Sequence, residues 1–156
     1  MESWELAARE QIRDLIARYN AYGDHGRFDE MVALFTADGV LQTDDETVTG
    51  PAELLRFFQA VAASAQSGAA GPTPSYVRHH TATLVIDVES PAEASARCYY
   101  QVLTTDGLDH WGRYADELIR VDGQWRFARR RVRLDGMQPG GWAAAYRQRQ
   151  HLDQAP

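Results

Sequence analysis

Apolar residues recur at spacings of three and four along the start of the chain, which predicts a long amphipathic helix over 3–22. Ser3 can cap the start of this helix, and Gly23 is placed to end it. A short second helix is predicted over 28–35, and Gly50-Pro51 opens a third, because proline suits the first helical turn. The apolar side of the third helix consists of Leu54, Leu55, Phe57, Phe58 and Val61.

The pattern changes to strands in the rest of the chain. GVLQT and ETVTG flank an Asp-Asp pair and predict a short hairpin between the second and third helices. Residues 64–75 are rich in Gly, Ser and Pro and predict a long loop that could cover a pocket. Beyond it, strands are predicted over 76–89 and 94–104, and then a hairpin over 113–134 with a two-residue turn at Asp122-Gly123.

Alternation assigns the side chains of the 113–134 hairpin to two faces. Before the turn, one face carries Tyr114, Asp116, Leu118 and Arg120. After it, Trp125 and Phe127 share a face, and the other carries Arg126, Ala128, Arg130, Val132 and Leu134. Five arginines between 126 and 133 exceed what a structural sheet requires, so at least one is expected to point into a cavity and the rest to be solvated or paired with carboxylates.

Helices followed by strands indicate an α+β fold. We expect a single domain over 1–156, with a helix or arm at 136–156. A curved antiparallel sheet wrapped around the long N-terminal helix would make a cone-shaped barrel with a deep pocket.

Composition and charge exclude several classes of partner and chemistry. The net charge of −6 argues against a nucleic-acid partner, which requires a basic surface. The longest apolar runs are too short to cross a membrane, and the acidic start does not resemble a signal peptide, so a cytoplasmic protein is expected. The single cysteine, Cys98, excludes an internal disulfide and a cysteine-built metal site. All 16 basic residues are arginine, which excludes lysine-based covalent catalysis.

Two groups of residues could carry chemistry. Tyr19 and Asp24 lie near the end of the first helix and could face the pocket, although a core tyrosine and a loop or capping aspartate are equally ordinary. His79 and His80 begin a strand and point to opposite faces, so only one of them faces the pocket, and parity leaves either open. An aspartate beside that histidine would fix its tautomer and make it a general base. The histidine spacings do not suggest a metal site, and no nucleotide-binding loop is present.

The segments that contain these residues resemble a known family. The Tyr19-to-Asp24 spacing, FDEMVALFTADG, the Arg-His-His triplet and DGQWRFARRRV are similar to the nuclear transport factor 2-like superfamily, and most of all to its SnoaL-like group, over roughly 5–135. The resemblance implies the cone-shaped barrel, a hydrophobic pocket and a homodimer, formed through the sheet, or a higher homo-oligomer. It also implies cofactor-free chemistry, because similar members include dehydratases, dehydrochlorinases, isomerases and polyketide cyclases.

Carried onto this chain, the resemblance implies a catalytic set of His79, Asp24, Tyr19 and Arg130. The substrate-binding set that it implies is Tyr114, Tyr22, His80, Phe58 and Tyr100. Members often carry Asn four residues after the strand histidine. Thr83 occupies that place here, and the spacing favours His79 over His80 as the base.

Two hypotheses follow. The first is a cofactor-independent lyase or isomerase acting on a small hydrophobic or carbonyl-bearing substrate. The second is a non-catalytic binder or a structural subunit, such as the small subunit of an aromatic-ring dioxygenase. A His79 imidazole beyond hydrogen-bond reach of Asp24 would favour the second.

Overall fold

The computed structural model describes residues 2–66 and 74–153, which form four helices and six strands. The predicted α+β class is confirmed. Residues 67–73, the centre of the predicted loop, lie outside the described residues. The elements are α1 (Ser3–Asp24), α2 (Phe28–Val32), β1 (Phe35–Gln42), β2 (Thr47–Thr49), α3 (Pro51–Gln66), β3 (Val77–Val88), β4 (Glu93–Thr104), β5 (Gly107–Val121), β6 (Gln124–Met137) and α4 (Trp142–Asp153).

The six strands form one curved sheet in the order β2-β1-β6-β5-β4-β3. Neighbouring strands are antiparallel, as predicted, except that β1 and β6 run parallel. The chain leaves β1 through the β2 hairpin and α3, enters the far edge of the sheet at β3, and returns through three hairpins to β6. Because that return ends beside β1, the sheet surrounds α1, which packs against β3 and β6.

The first helix inserts its predicted apolar face into this sheet. Ile12 and Ile16 are almost completely buried, and full burial of such a side chain stabilises a fold by about 1.5–3 kcal/mol. Trp4, near the helix start, is 43% exposed. Ser3 does not cap the helix, because the N-cap residue is Glu2 and it makes no side-chain cap hydrogen bond.

The second helix is shorter than predicted. It ends at Val32, and Phe35, which was expected to end it, instead begins β1. The Phe35 ring packs on the Phe127 ring with centroids 5.2 Å apart. Pairing with β6 therefore overrides the helical pattern over 33–35.

The turn between β5 and β6 has the predicted geometry. Asp122 has φ = 50° and Gly123 has φ = 78°, and a type I′ turn requires both angles to be positive. The two strands pair from Val121 and Gln124 outward. The predicted hairpin is confirmed, but β5 begins at Gly107, six residues earlier than expected.

A β-bulge changes the predicted faces of β6. Glu117 pairs with Arg129 and Leu118 pairs with Phe127, so Ala128 is an extra residue on β6. The extra residue reverses the alternation, and Arg130 lies on the same inner face as Phe127. The prediction that they occupy opposite faces is wrong for this reason.

Candidate functional site

A cavity of about 540 Å³ lies between the inner face of the sheet and helices α1 to α4. Its wall is largely apolar and aromatic, with Met31, Leu41, Phe57, Phe58 and Val61 contributed by the helical side and β1. Two histidines, His79 and His110, face this space from β3 and β5. A cavity of this size, apolar with a few convergent polar groups, is typical of a site for a small organic molecule.

The structure brings His79 and Asp24 into direct contact. Asp24 is the last residue of α1, and its Oδ1 lies 2.6 Å from His79 Nδ1. The backbone N–H of His79 also donates to Asp24 Oδ2, at 3.0 Å. The Asp24 carboxylate therefore holds both the ring and the backbone of His79, and its side chain is only 7% exposed.

This contact determines what the imidazole can do. An ionised carboxylate only accepts hydrogen bonds, so His79 Nδ1 must carry the proton in their bond. In neutral His79 the lone pair is then on Nε2, on the opposite side of the ring from Asp24. Because His79 lines the cavity, that lone pair is available to remove a proton from a bound molecule.

Three tyrosines form the floor of the cavity. The Tyr100 and Tyr114 rings stack with centroids 4.6 Å apart, and Tyr19 meets Tyr114 edge to face at 6.2 Å. Burial raises the pKa of Tyr19 to about 12, and burial also raises the pKa of Tyr100 and Tyr114. All three hydroxyls are therefore neutral near pH 7 and can donate hydrogen bonds.

Arg130 lies beneath this floor and not in the cavity. Its side chain is fully buried, and Nε and Nη2 donate to the two oxygens of Asp116 at 2.8 and 2.7 Å. Its guanidinium carbon is 4.1 Å from the Tyr19 ring centroid and 4.3 Å from that of Tyr114. The tyrosine rings lie between Arg130 and the cavity, so its guanidinium does not line the space where it was expected to meet a substrate. Asp116, its buried partner, was not singled out from the sequence.

Two further candidates lie away from the cavity lining. His80 is exposed because it alternates with His79 across β3. Tyr22 is held on the helix surface, where its hydroxyl accepts from Arg18 at 3.3 Å and its ring lies under Arg27 at 4.6 Å. The prediction that His80 and Tyr22 face the pocket is therefore corrected. Phe58, Tyr100 and Tyr114 do line the cavity.

His110, a strand residue of β5, also lies at the cavity wall. Its Nδ1 is 2.7 Å from Asp109 Oδ2, and Asp109 is buried. Asp109 also accepts from the backbone N–H groups of Trp142 (2.6 Å) and Ala143 (3.1 Å), at the start of α4. The Asp-His pair directly after a turn was the sequence signal that could have identified this unit.

Two polar atoms at the cavity wall have no hydrogen-bond partner among the described residues. They are Asn20 Oδ1 and Trp142 Nε1, and both are buried. Buried polar groups are normally satisfied, so these two atoms are exceptions among the buried polar groups beside the cavity.

The side chains of the described residues include no cluster of three or more His, Cys, Asp or Glu arranged to hold a metal ion. Over the same residues, no helix is both long and apolar enough to span a membrane.

Comparison with known proteins supports the resemblance seen in the sequence. The family model described as the SnoaL-like domain matches residues 4–131, so the predicted group is confirmed. A search of curated proteins found no match.

Several solved structures have the same fold. A protein of unknown function from Mycobacterium tuberculosis is 28% identical with a TM-score of 0.72, covering 85% of this chain and 75% of its own. A Catenulispora acidiphila protein solved in complex with S-DNPA is 26% identical with a TM-score of 0.70, covering 83% and 95%. A candidate scytalone dehydratase from Novosphingobium aromaticivorans is 23% identical with a TM-score of 0.74, covering 88% and 91%. At that last identity, the likeness shows the fold alone.

Proposed function

Because the chain belongs to the SnoaL-like domain family, we propose that it is a cofactor-independent lyase or isomerase acting on a small carbonyl-bearing hydrophobic compound. His79 removes a proton from the carbon next to the carbonyl, and Asp24 stabilises the imidazolium that forms. The observation that supports this most is the 2.6 Å contact between the two side chains at the wall of a 540 Å³ cavity.

The cavity tyrosines support the next step of the proposed reaction, in which negative charge on the substrate is stabilised. Removing the proton places negative charge on the carbonyl oxygen, and a neutral hydroxyl can donate a hydrogen bond to it. Tyr19 and Tyr114 line the cavity and keep their protons. We assign Arg130 an indirect role, in which its buried charge fixes both rings from below.

Separation of His79 and Asp24 beyond hydrogen-bond reach would have favoured the alternative of a structural subunit or simple binder. Their contact favours the enzyme instead. The S-DNPA complex of the Catenulispora acidiphila protein supports an organic ligand in this fold, and we extend that only to the class of compound.

Deuterium exchange tests the proposed base. A set of bicyclic ketones and β-hydroxyketones would be incubated with the protein in D₂O, and loss of the α-proton and formation of product would be followed by NMR. His79→Gln and Asp24→Asn should each lower the rate by about 10²-fold or more, because general base catalysis contributes about 10²–10⁴-fold.

His80→Gln is the matched control, since His80 is the exposed neighbour of His79 on β3. It should leave the rate unchanged. A His79→Gln variant that retained the wild-type rate on a turned-over substrate would refute the proposed base.

We also propose that the chain forms a homodimer through the outer face of the sheet and acts in the cytoplasm. Tyr99 and Val85 on this face are 58% and 36% exposed. Exposed aromatic residues are enriched at protein interfaces, which supports this face as the contact surface.

A further inference from the structure

A second histidine–carboxylate pair faces the same cavity as His79 and Asp24. We propose that His110, held by Asp109, is the acid of this site, and that it protonates the substrate oxygen while His79 removes the carbon-bound proton. This inference rests on the proposed function and extends it from one proton-transfer residue to two.

The Asp109 carboxylate fixes the His110 ring in one orientation. The Asp109 side chain is 3% exposed, and three hydrogen bonds from His110, Trp142 and Ala143 hold it. Burial alone would raise the pKa of Asp109, but these hydrogen bonds lower it overall, so Asp109 is ionised near pH 7. His110 Nδ1 therefore carries a proton towards Asp109, and Nε2 is the nitrogen directed away from it.

The His110 ring has more aromatic neighbours than the His79 ring does. Besides Asp109, His110 has the Trp142 ring at 5.7 Å and the Tyr100 ring at 6.0 Å between centroids. Aromatic rings attract a cation, and a carboxylate stabilises an imidazolium. His79 has the Asp24 carboxylate, and its ring meets the His110 ring itself.

The sheet places the two histidines side by side. His79 pairs with Val102, and Val102 pairs with His110, so one strand separates them at the same level. Two strand spacings amount to about 10 Å, yet the ring centroids are only 6.5 Å apart. The rings therefore lean together on the concave face, where a single carbonyl-bearing fragment can contact both.

This arrangement gives a balanced proton transfer without a cofactor. His79 Nε2 takes the α-proton, the C–H electron pair becomes the C=C bond, and the carbonyl π pair moves to oxygen. The oxygen takes the Nε2 proton of His110 and a neutral enol results. In an isomerisation, the His79 imidazolium then protonates another carbon and His110 recovers the oxygen proton, so both residues return to their starting states.

Benzisoxazoles test the division of roles. A base removes the ring C–H, the N–O bond breaks, and a phenoxide forms, so the need for an acid grows as the phenoxide becomes less stable. The unsubstituted and 5-nitro compounds would be compared with wild-type protein, His79→Gln and His110→Asn. Asn is chosen because its amide can still donate to Asp109.

We expect His79→Gln to lower kcat/KM by about 10²-fold or more for both compounds. His110→Asn should lower it by about 10²-fold for the unsubstituted compound, at the low end of general acid catalysis, and by much less for the nitro compound, whose phenoxide needs an acid less. Asp109→Asn removes the carboxylate that positions His110. It should therefore also lower kcat/KM more for the unsubstituted compound than for the nitro compound. His110→Gln is a second variant in case Asn disturbs the fold, and His80→Asn should match wild type.

The outcomes separate the two proposals. Equal losses for both compounds in His110→Asn and His110→Gln, or no loss, would overturn the acid role of His110 and leave the His79 base intact. Wild-type rates in His79→Gln, or no acceleration of either compound by the wild-type protein, would overturn the proposed function and this inference together.

Discussion

Thr83 is a strained residue in an exposed position. Its φ of 54° lies in the left-handed region, where a β-branched side chain is strongly disfavoured. The register of β3 against β4 shifts between Ala82 and Val85, so Thr83 lies in an irregular part of the strand. Asn tolerates a positive φ better than a β-branched residue does.

Thr83→Asn should therefore stabilise the protein. We expect the free energy of unfolding to rise by about 1 kcal/mol, because relieving an unfavourable backbone conformation is worth about 1–3 kcal/mol. Urea denaturation of the two proteins would measure it, with Thr81→Asn on the same strand as the control. A less stable Thr83→Asn protein would contradict the strain argument.

For the buried pair of Arg130 and Asp116, we predict a loss of stability on substitution. Arg130→Met should lower the free energy of unfolding by about 3–5 kcal/mol, because removing one partner leaves an uncompensated buried charge. The double variant Arg130→Met with Asp116→Leu should regain most of that loss, since an apolar pair avoids the unpaired carboxylate. Denaturation of the single and double variants would decide, and equal losses in both would contradict it.

At the scale of elements, the Asp109 carboxylate attaches the start of α4 to the sheet. Asp109 on β5 accepts from the first two backbone amides of α4, and Gly141 lies so close that an added Cβ would be 2.5 Å from Asp109 Oδ1. A side chain in this capping role contributes about 0.5–2 kcal/mol. The helix therefore depends on Asp109 for its docking as well as on Arg147, which pairs with Asp45 at 3.0 Å.

The pH dependence of this docking follows from the lowered pKa of Asp109. Its folded-state pKa is below the usual value near 3.8, so its stabilising effect is complete above that pH and is lost as pH falls through the folded-state pKa. Relative to the intrinsic exchange rate at each pH, hydrogen exchange of the Ala143 to Ala145 amides should therefore accelerate in acid. In Asp109→Ala it should already be fast at neutral pH, and slow exchange in that variant would contradict the role of Asp109.

The elements also show what the sequence could and could not predict. The Asp122-Gly123 turn was predictable because its geometry is set by two adjacent residues. The position of Arg130 was not, because the bulge at Ala128 depends on pairing with β5 and reverses the alternation. His110 was missed as a cavity residue because the start of β5 was placed at 113, which left Asp109 and His110 outside any strand. The contact of His79 with Asp24 joins residues 55 positions apart, and only the family resemblance suggested it.

At the scale of the whole molecule, the outer face of the sheet is the proposed contact surface between subunits. The cavity occupies the concave face, so an assembly through the convex face would leave the site of each subunit open. Tyr99 lies on that face on β4, next to the edge strand, between Ala82 on β3 and Arg113 on β5 in the strand register. Its 58% exposure in a single chain is large for a tyrosine, and an interface would remove it from water.

Tyr99→Asp should therefore convert a dimer into a monomer. A buried, unpaired carboxylate at the centre of an interface would oppose association, and the mass measured by light scattering should fall by half with the His79-dependent rate per chain unchanged. Leu6→Asp is the control, because Leu6 is 63% exposed on α1, away from the sheet's outer face. A wild-type protein that is monomeric at all concentrations, or a Tyr99→Asp dimer as tight as wild type, would exclude this face as the interface.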